Sequence, residues 1–341
     1  MIVKKALLET EKENIIKFLN QMDMIWDEDI IQSFYIEHNN EVIATGSRSN
    51  KVIKGLAVKK EWQSYNLISL IIDEIAKSFQ EDNIYQYYAV THLDNKLIFE
   101  SLGFKEIIKN DAIILMEKGL SSVTETLNNL KSKLEKDLQV ELTKLNIGSV
   151  VINANPVTNG HVELIKYASK KHDLLLVFLV EENKSFFTYK ERMSLLYLAT
   201  HMMSNVKILP STDYLVSSAT FPNYFLKNDV SLHEYQALID TLLFRKYFIP
   251  IFNINKRYLG SEVKPYMVSY NNALVKALGD LIEIVERFSL NGVIISSSHV
   301  RENTQNNEVD EALKYIPKEA QTLFKNIVRS KIDGKDDIRQ W

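Results

Sequence analysis

The sequence predicts an α/β protein in two parts: an α+β first domain, then a second domain built on a doubly wound parallel sheet. Three observations carry that prediction. The chain has 341 residues, more than one hydrophobic core usually serves. Apolar, β-branched runs over 148–154 and 174–180 are each followed by a helical pattern, as expected of strands buried on both faces and joined by crossover helices. Between the parts lies 121–145, a charged stretch with leucines at 127, 130, 134 and 138 that reads as a solvated connecting helix. The expected division is 1–118, a connecting helix over 119–146, and 147–341, the last with an insertion over about 213–279.

In the first part, Glu9 to Leu19 has helical spacing, and Glu41 to Ala44 and Val52 to Val58 read as short strands. From Asn66 to Phe79 an apolar stripe at Leu67, Leu70, Ile71, Ile75 and Phe79 marks an amphipathic helix. Tyr85 to Thr91 is a strand, and Asn95 to Leu102 a short helix stopped by Gly103. In the second part, Gly148 to Ala154, Leu174 to Val180, Val206 to Leu209 and Gly292 to Ser296 read as strands. His161 to Lys171, Tyr189 to Met203 and the stretch from Glu308 to Ile327 read as helical. Sheets of this kind bind ligands beyond the carboxyl ends of their strands, so the turns that follow the strands are where chemistry is sought.

Composition narrows the function. Hydrophobic residues make up 45% and charged residues 25%, and the formal net charge is -3. A dedicated nucleic-acid binder would carry a basic excess. There are no cysteines, which excludes disulfides, thiolate metal sites and a cysteine nucleophile. Any thiol must come from a cofactor or a partner. The N-terminal residues turn charged too early for a secretory signal, and no apolar run approaches the roughly 20 residues of a membrane span. The expected setting is soluble and cytoplasmic, with no membrane partner.

Two turns carry the chemistry. Asn155-Pro-Val-Thr-Asn-Gly-His161 links the first buried strand to its helix. There Gly160 would let a phosphate approach the backbone, and the helix N-terminus offers free N–H groups. Thr158 adds a hydroxyl and His161 an imidazole. Ile295-Ser-Ser-Ser-His-Val-Arg301 follows the last strand, where Ser296, Ser297 and Arg301 would hold phosphate oxygens. Taken alone it would be a serine N-cap with a solvated arginine. His299 reads as incidental. A third segment, Glu181 to Arg192, offers Lys184 and Arg192, each open between a ligand contact and the surface, and a capping box of Thr188 with Glu191. Arg257, Glu262, Tyr270 and Asn271 are polar groups in an otherwise apolar stretch, explained as well by salt bridges and caps as by a ligand. No histidine or carboxylate spacing marks a protein metal site.

PVTNGH, KSFFTYKERMSLL, NVKIL and ISSSHVRE, in that order, resemble the nucleotidylyltransferase superfamily with its T/H-x-G-H and I-S-S-T-x-x-R signatures, phosphopantetheine adenylyltransferases in particular. The long segment from Asp213 to Gly279, with ATFPNYFLK, KRYLGSE and YNNALVKAL, resembles the citrate lyase ligase family, whose members begin with a GNAT-type acetyltransferase-like domain. That resemblance implies an enzyme, an AMP-forming ligase. ATP, with Mg²⁺, would activate acetate as acetyl adenylate. The acetyl group would then pass to the prosthetic thiol on the acyl carrier subunit of citrate lyase, releasing AMP. His161, Thr158, Arg301 and Lys184 would be catalytic; Asn155, Gly160, Ser296, Ser297 and Arg192 would bind ATP. A plain adenylyltransferase acting on a phosphopantetheine-like acceptor is the alternative. In the first domain the loop Gln63-Ser-Tyr-Asn-Leu-Ile68 lacks both glycines of the GNAT pyrophosphate loop, which implies a degenerate acetyl-CoA site in which Ile68 crowds the phosphates.

Overall fold

The computed structural model describes residues 1–111, 113–181, 185–215, 232–290 and 293–338. They form two compact units, one of residues 1–126 and 232–239, the other of 127–215 and 240–338.

The first unit carries β1 (Lys4–Lys5), α1 (Glu9–Gln21), β2 (Gln32–His38), β3 (Glu41–Arg48), β4 (Val52–Val58), α2 (Leu67–Glu81), β5 (Gln86–His92), α3 (Lys96–Ser101), β6 (Lys105–Lys109) and β7 (Ile113–Gly119). Its seven strands lie in the order β1-β2-β3-β4-β5-β7-β6. Only β4 and β5 pair in parallel, over Val52–Ile53 and Tyr88–Ala89. The ladder stops where Gly55 takes φ +56°, a left-handed backbone that glycine tolerates. α2 lays Leu67, Ile71, Ile75 and Phe79 on the sheet, each at most 2% exposed. Burying each such side chain stabilises by about 1.5–3 kcal/mol. The stripe differs from the expected one at a single position: Leu70 is exposed, and Ile72 is buried in its place. Asn66 caps this helix with φ +54°, the left-handed backbone that asparagine accepts better than most residues.

α4 (Val123–Leu138) follows. It is not solvated all round, since Val123, Leu127 and Leu134 are buried.

The second unit carries β8 (Ile147–Ile152), α5 (Asn159–Ser169), β9 (Leu174–Leu179), α6 (Tyr189–Thr200), β10 (Val206–Pro210), α7 (Leu232–Leu243, which begins among residues of the first unit), α8 (Ile249–Phe252), β11 (Ile254–Gly260), α9 (Pro265–Leu278), β12 (Ile282–Val285), β13 (Ser289–Leu290), β14 (Val293–Ile294), α10 (Ser297–Gln305), α11 (Val309–Leu313) and α12 (Gln321–Ile338). Five strands form a wholly parallel sheet in the order β10-β9-β8-β11-β12. β9 is at most 2% exposed along its length, as a strand covered on both faces must be. From β8 the chain builds outward through β9 and β10, then returns to β8's other side with β11 and β12. That reversal places the crevice of a doubly wound sheet beyond the carboxyl ends of β8 and β11.

The second sheet departs from the expected one in two places. Of the stretch expected as the last parallel strand, Gly292 lies outside the described residues, and Val293–Ile294 forms β14, which pairs antiparallel with β13, while β12 pairs with β11 in the parallel sheet. And β11, inside the segment read as a largely helical insertion, is an interior strand of the sheet. Among the described residues no helix is long and apolar enough to cross a membrane.

Candidate active site

Beyond β8 the chain makes a tight turn. Ala154 has φ +45°, a conformation that costs a residue with a Cβ about 1 kcal/mol and so needs support. The support comes from below and beside. Arg192, fully buried in α6, donates from Nη1 to Asn153 O at 2.6 Å and to Asn153 Oδ1 at 2.8 Å. Asn155 Oδ1 accepts from the Phe187 amide at 3.1 Å. α6 itself starts at the expected capping box: Thr188 Oγ1 accepts from the Glu191 amide, and Glu191 Oε2 accepts from the Thr188 amide.

α5 opens with Thr158 as its N-cap. His161, three residues on, turns its ring back: Nδ1 accepts from the Thr158 amide at 3.1 Å and lies 2.8 Å from Thr158 Oγ1. With Nδ1 an acceptor, the neutral ring carries its proton on Nε2. Burial, with the charge of Arg287 second, pushes the imidazole down to about 4, so it is neutral at physiological pH. Gly160 needs no unusual backbone. A Cβ there would meet Ile295 at 3.5 Å, an ordinary contact, so what the glycine provides is space between the two motifs.

The second motif starts α10, where Ser296 is the N-cap and its Oγ accepts from the His299 amide at 3.2 Å. Its side chains are clasped to the first motif. Ser297 Oγ donates to Pro156 O at 2.8 Å, and Arg301 Nη1 donates to Asn155 O at 2.5 Å. Arg301 Nη2 reaches Ser298 Oγ at 3.1 Å, and partial burial lowers the guanidinium's pKa. Two helix N-termini, α5 and α10, thus open onto one cleft of about 560 Å³.

Of the residues expected from the sequence, His161, Thr158, Asn155, Gly160, Ser296, Ser297 and Arg301 all line this cleft. Thr158 is only 1% exposed and faces His161, so it acts on the imidazole. Arg192 is neither a cleft-lining residue nor a surface one; it lies under the turn and holds Asn153. Lys184 lies outside the described residues. Sequence reading missed Arg287, which lines the cleft, donates from Nε to Ser261 O at 2.6 Å and pairs with Glu262. No motif surrounds it, so only the fold reveals it. Among the described residues no three histidine or acidic side chains converge as a metal site.

The fold and this cleft define the class: an α/β enzyme whose site lies at the switch point of a parallel sheet, between two helix N-termini. Residues 147–324 match the family model described as the citrate lyase ligase C-terminal domain. The chain is 30% identical to the [citrate [pro-3S]-lyase] ligase of Klebsiella pneumoniae, over 89% of this chain and 90% of that one. It is 29% identical to the ligase of that name from Haemophilus influenzae, over 93% and 96%. The chain belongs to the citrate lyase ligase family. A shorter match, 34% over 71 residues, is to the phosphopantetheine adenylyltransferase of Vesicomyosocius okutanii, covering 20% of this chain and 45% of that one. Among solved structures, the ribosomal-protein-S18-alanine N-acetyltransferase of Escherichia coli is 14% identical, with a TM-score of 0.29, covering 36% of this chain and 97% of that one. A GNAT-family acetyltransferase from Staphylococcus aureus Mu50 is 16% identical, with a TM-score of 0.30, covering 35% and 100%.

Proposed function

We propose that this protein uses ATP to activate acetate and passes the acetyl group to the prosthetic thiol on the acyl carrier subunit of citrate lyase. The observation that supports the reading most directly is the pair of helix N-termini facing one cleft, with the His161 imidazole held as a neutral donor beside them. Free N–H groups and helix dipoles favour a polyphosphate there.

In the first half-reaction an acetate oxygen attacks the α-phosphorus of ATP. A new P–O bond forms, the bond to the β-phosphate's bridging oxygen breaks, and pyrophosphate leaves with the electron pair. Catalysis of such a step is mainly positioning and charge stabilisation. His161 would donate from Nε2 to the oxygens gaining charge at the α-phosphorus, with Thr158 fixing the ring. Arg301 and Ser296 would face the departing β,γ end with side-chain donors beyond those that clasp the turn, and Ser297 with its amide at the start of α10. In the second half-reaction the thiol sulfur attacks the acyl carbon, the acyl C–O bond to AMP breaks, and the thiol proton is lost. The thiol comes from the partner, since this chain has no cysteine.

Mg²⁺ finds no cluster of ligands among the described residues. It would arrive on the nucleotide's phosphates with water and neutralise their charge.

The test is acetate-dependent exchange of labelled pyrophosphate into ATP, repeated with deacetylated citrate lyase present. Exchange that requires acetate supports the reading. Exchange with a phosphopantetheine acceptor and none with acetate would instead identify a plain adenylyltransferase, and silence in both arms would reject adenylate chemistry.

A further inference from the structure

Arg257 sits in β11, an interior strand between β8 and β12, where a cation has to find partners inside the protein. One partner is Asp240: Arg257 Nη2 donates to Asp240 Oδ2 at 2.8 Å, and the Tyr270 hydroxyl donates to the same oxygen at 2.6 Å. The guanidinium carbon also lies 4.3 Å from the centre of the Phe244 ring. These contacts leave the group half satisfied. Arg257 is 2% exposed, yet its Nε and Nη1 are buried and meet no hydrogen-bond acceptor among the described residues. Buried polar groups in native proteins almost always have an acceptor, so an orphaned cationic N–H asks what fills the position.

Arg257 forms part of the cleft wall. Arg257, Asp240 and Tyr270 line the same cavity as His161 and Arg301. The two helix N-termini supply the phosphate-binding donors, and the cavity that Arg257 lines also has apolar wall, from Leu259, Met267 and Val285. Donors without acceptors beside an apolar surface suit a short carboxylate: anionic oxygens at one end, an alkyl group at the other.

We infer that Arg257 binds the carboxylate of the acid that is activated, with the acid's short alkyl group on the apolar lining beside it. The assignment rests on the reading that a carboxylic acid is adenylated in this cleft. Asp240 and Tyr270 then serve as positioning residues: Asp240 balances the guanidinium's charge and holds it over the Phe244 ring, and the Tyr270 hydroxyl holds Asp240. The arginine donates hydrogen bonds only, and no proton changes hands.

The experiment measures the KM of acetate and of ATP separately, in the pyrophosphate exchange reaction of the full-length protein. Arg257→Met combined with Asp240→Asn removes the buried pair together, which avoids stranding an unpaired charge. Arg257→Lys, which keeps the charge beside Asp240, covers the case in which the double variant does not fold. Each folded variant is expected to raise the acetate KM at least about tenfold while the ATP KM stays within about twofold. An unchanged acetate KM in a folded variant would overturn the assignment, and so would acetate and ATP KM rising together. If the wild-type protein shows no acetate-dependent exchange, the functional reading fails and this assignment with it. Exchange intact in the wild type and an acetate KM untouched by the variants would sink the assignment alone.

Discussion

The Thr158 amide donates to His161 Nδ1 at 3.1 Å, and this one bond decides which nitrogen of the imidazole is left to donate. Nδ1 is committed to the start of its own helix, so Nε2 is left as the donor, and burial keeps the ring neutral. His161→Ala should lower acetate-dependent exchange by about 10²–10³-fold, the usual cost of one preorganised donor, with the fold intact. His161→Gln should recover part of that loss, because an amide N–H can replace Nε2–H. With its titration near pH 4, His161 should impose no inflection on the rate between pH 6 and 8. An acid limb near pH 6.5 that disappears on substitution would contradict the tautomer assignment.

The same burial has a consequence for stability. His161 titrates near 4 in the folded protein, against 6.5 for an unperturbed imidazole. The unfolded chain therefore takes up the proton first as the pH falls. Above about pH 6.5 the full stability is present. It is lost progressively between 6.5 and 4, by at most about 3 kcal/mol, and the loss levels off below that. Denaturant melts at pH 7.5 and pH 4.5 should show a smaller difference for His161→Gln than for the wild type. Equal differences would show that another group carries the acid sensitivity.

Gly160 separates fold from function. It sits in the first turn of α5 with no left-handed backbone, and a Cβ would rest 3.5 Å from Ile295. Gly160→Ala should therefore fold as well as the wild type, with a helix-propensity gain of up to about 1 kcal/mol. It should nonetheless raise the ATP KM, because the methyl group fills space between the two helix starts. A drop in stability with ATP binding intact would reverse the argument.

How much of this was legible in the sequence follows from the distance over which each feature is encoded. The turn from Asn155 to His161 is strand, turn and helix within one short window, and its pattern was readable. Thr188 with Glu191 was readable for the same reason. β11 was not, because Lys256 and Arg257 interrupt its apolar run; Arg257 is tolerated there only because Asp240, seventeen positions earlier, lies beside it. The clasp of Ser297 and Arg301 onto Pro156 and Asn155 spans more than 140 residues, and no local pattern announces it. Arg287 belongs with these, since it enters the cleft by position in the fold alone.

The first unit should bind acetyl-CoA poorly. The residues before α2 form a tight turn over Lys60–Tyr65, Asn66 stands at the cap, and Ile68 packs partly buried against the core, with no glycine to free backbone amides for a pyrophosphate. Calorimetry with acetyl-CoA should detect no binding tighter than about millimolar. A micromolar Kd would restore an acetyltransferase-type site.

Arg192 distinguishes a ligand contact from a support. Its Nη1 makes two bonds, to the carbonyl and side-chain oxygens of Asn153, the residue that leads into the strained Ala154. Asn153 is exposed, so on removal of the arginine its oxygens can turn to water, and the loss includes two charge-assisted hydrogen bonds, the contact with the Tyr189 ring and buried volume. Arg192→Met should cost about 3 kcal/mol of stability. Because the turn carrying Asn155 and the start of α5 would loosen, kcat for exchange should fall while the ATP KM changes little. A phosphate-binding arginine would behave in the opposite way, raising the ATP KM steeply at unchanged thermal stability. Melting the variant and measuring the two kinetic constants side by side separates these outcomes, and a steep rise in the ATP KM alone would place Arg192 on the nucleotide.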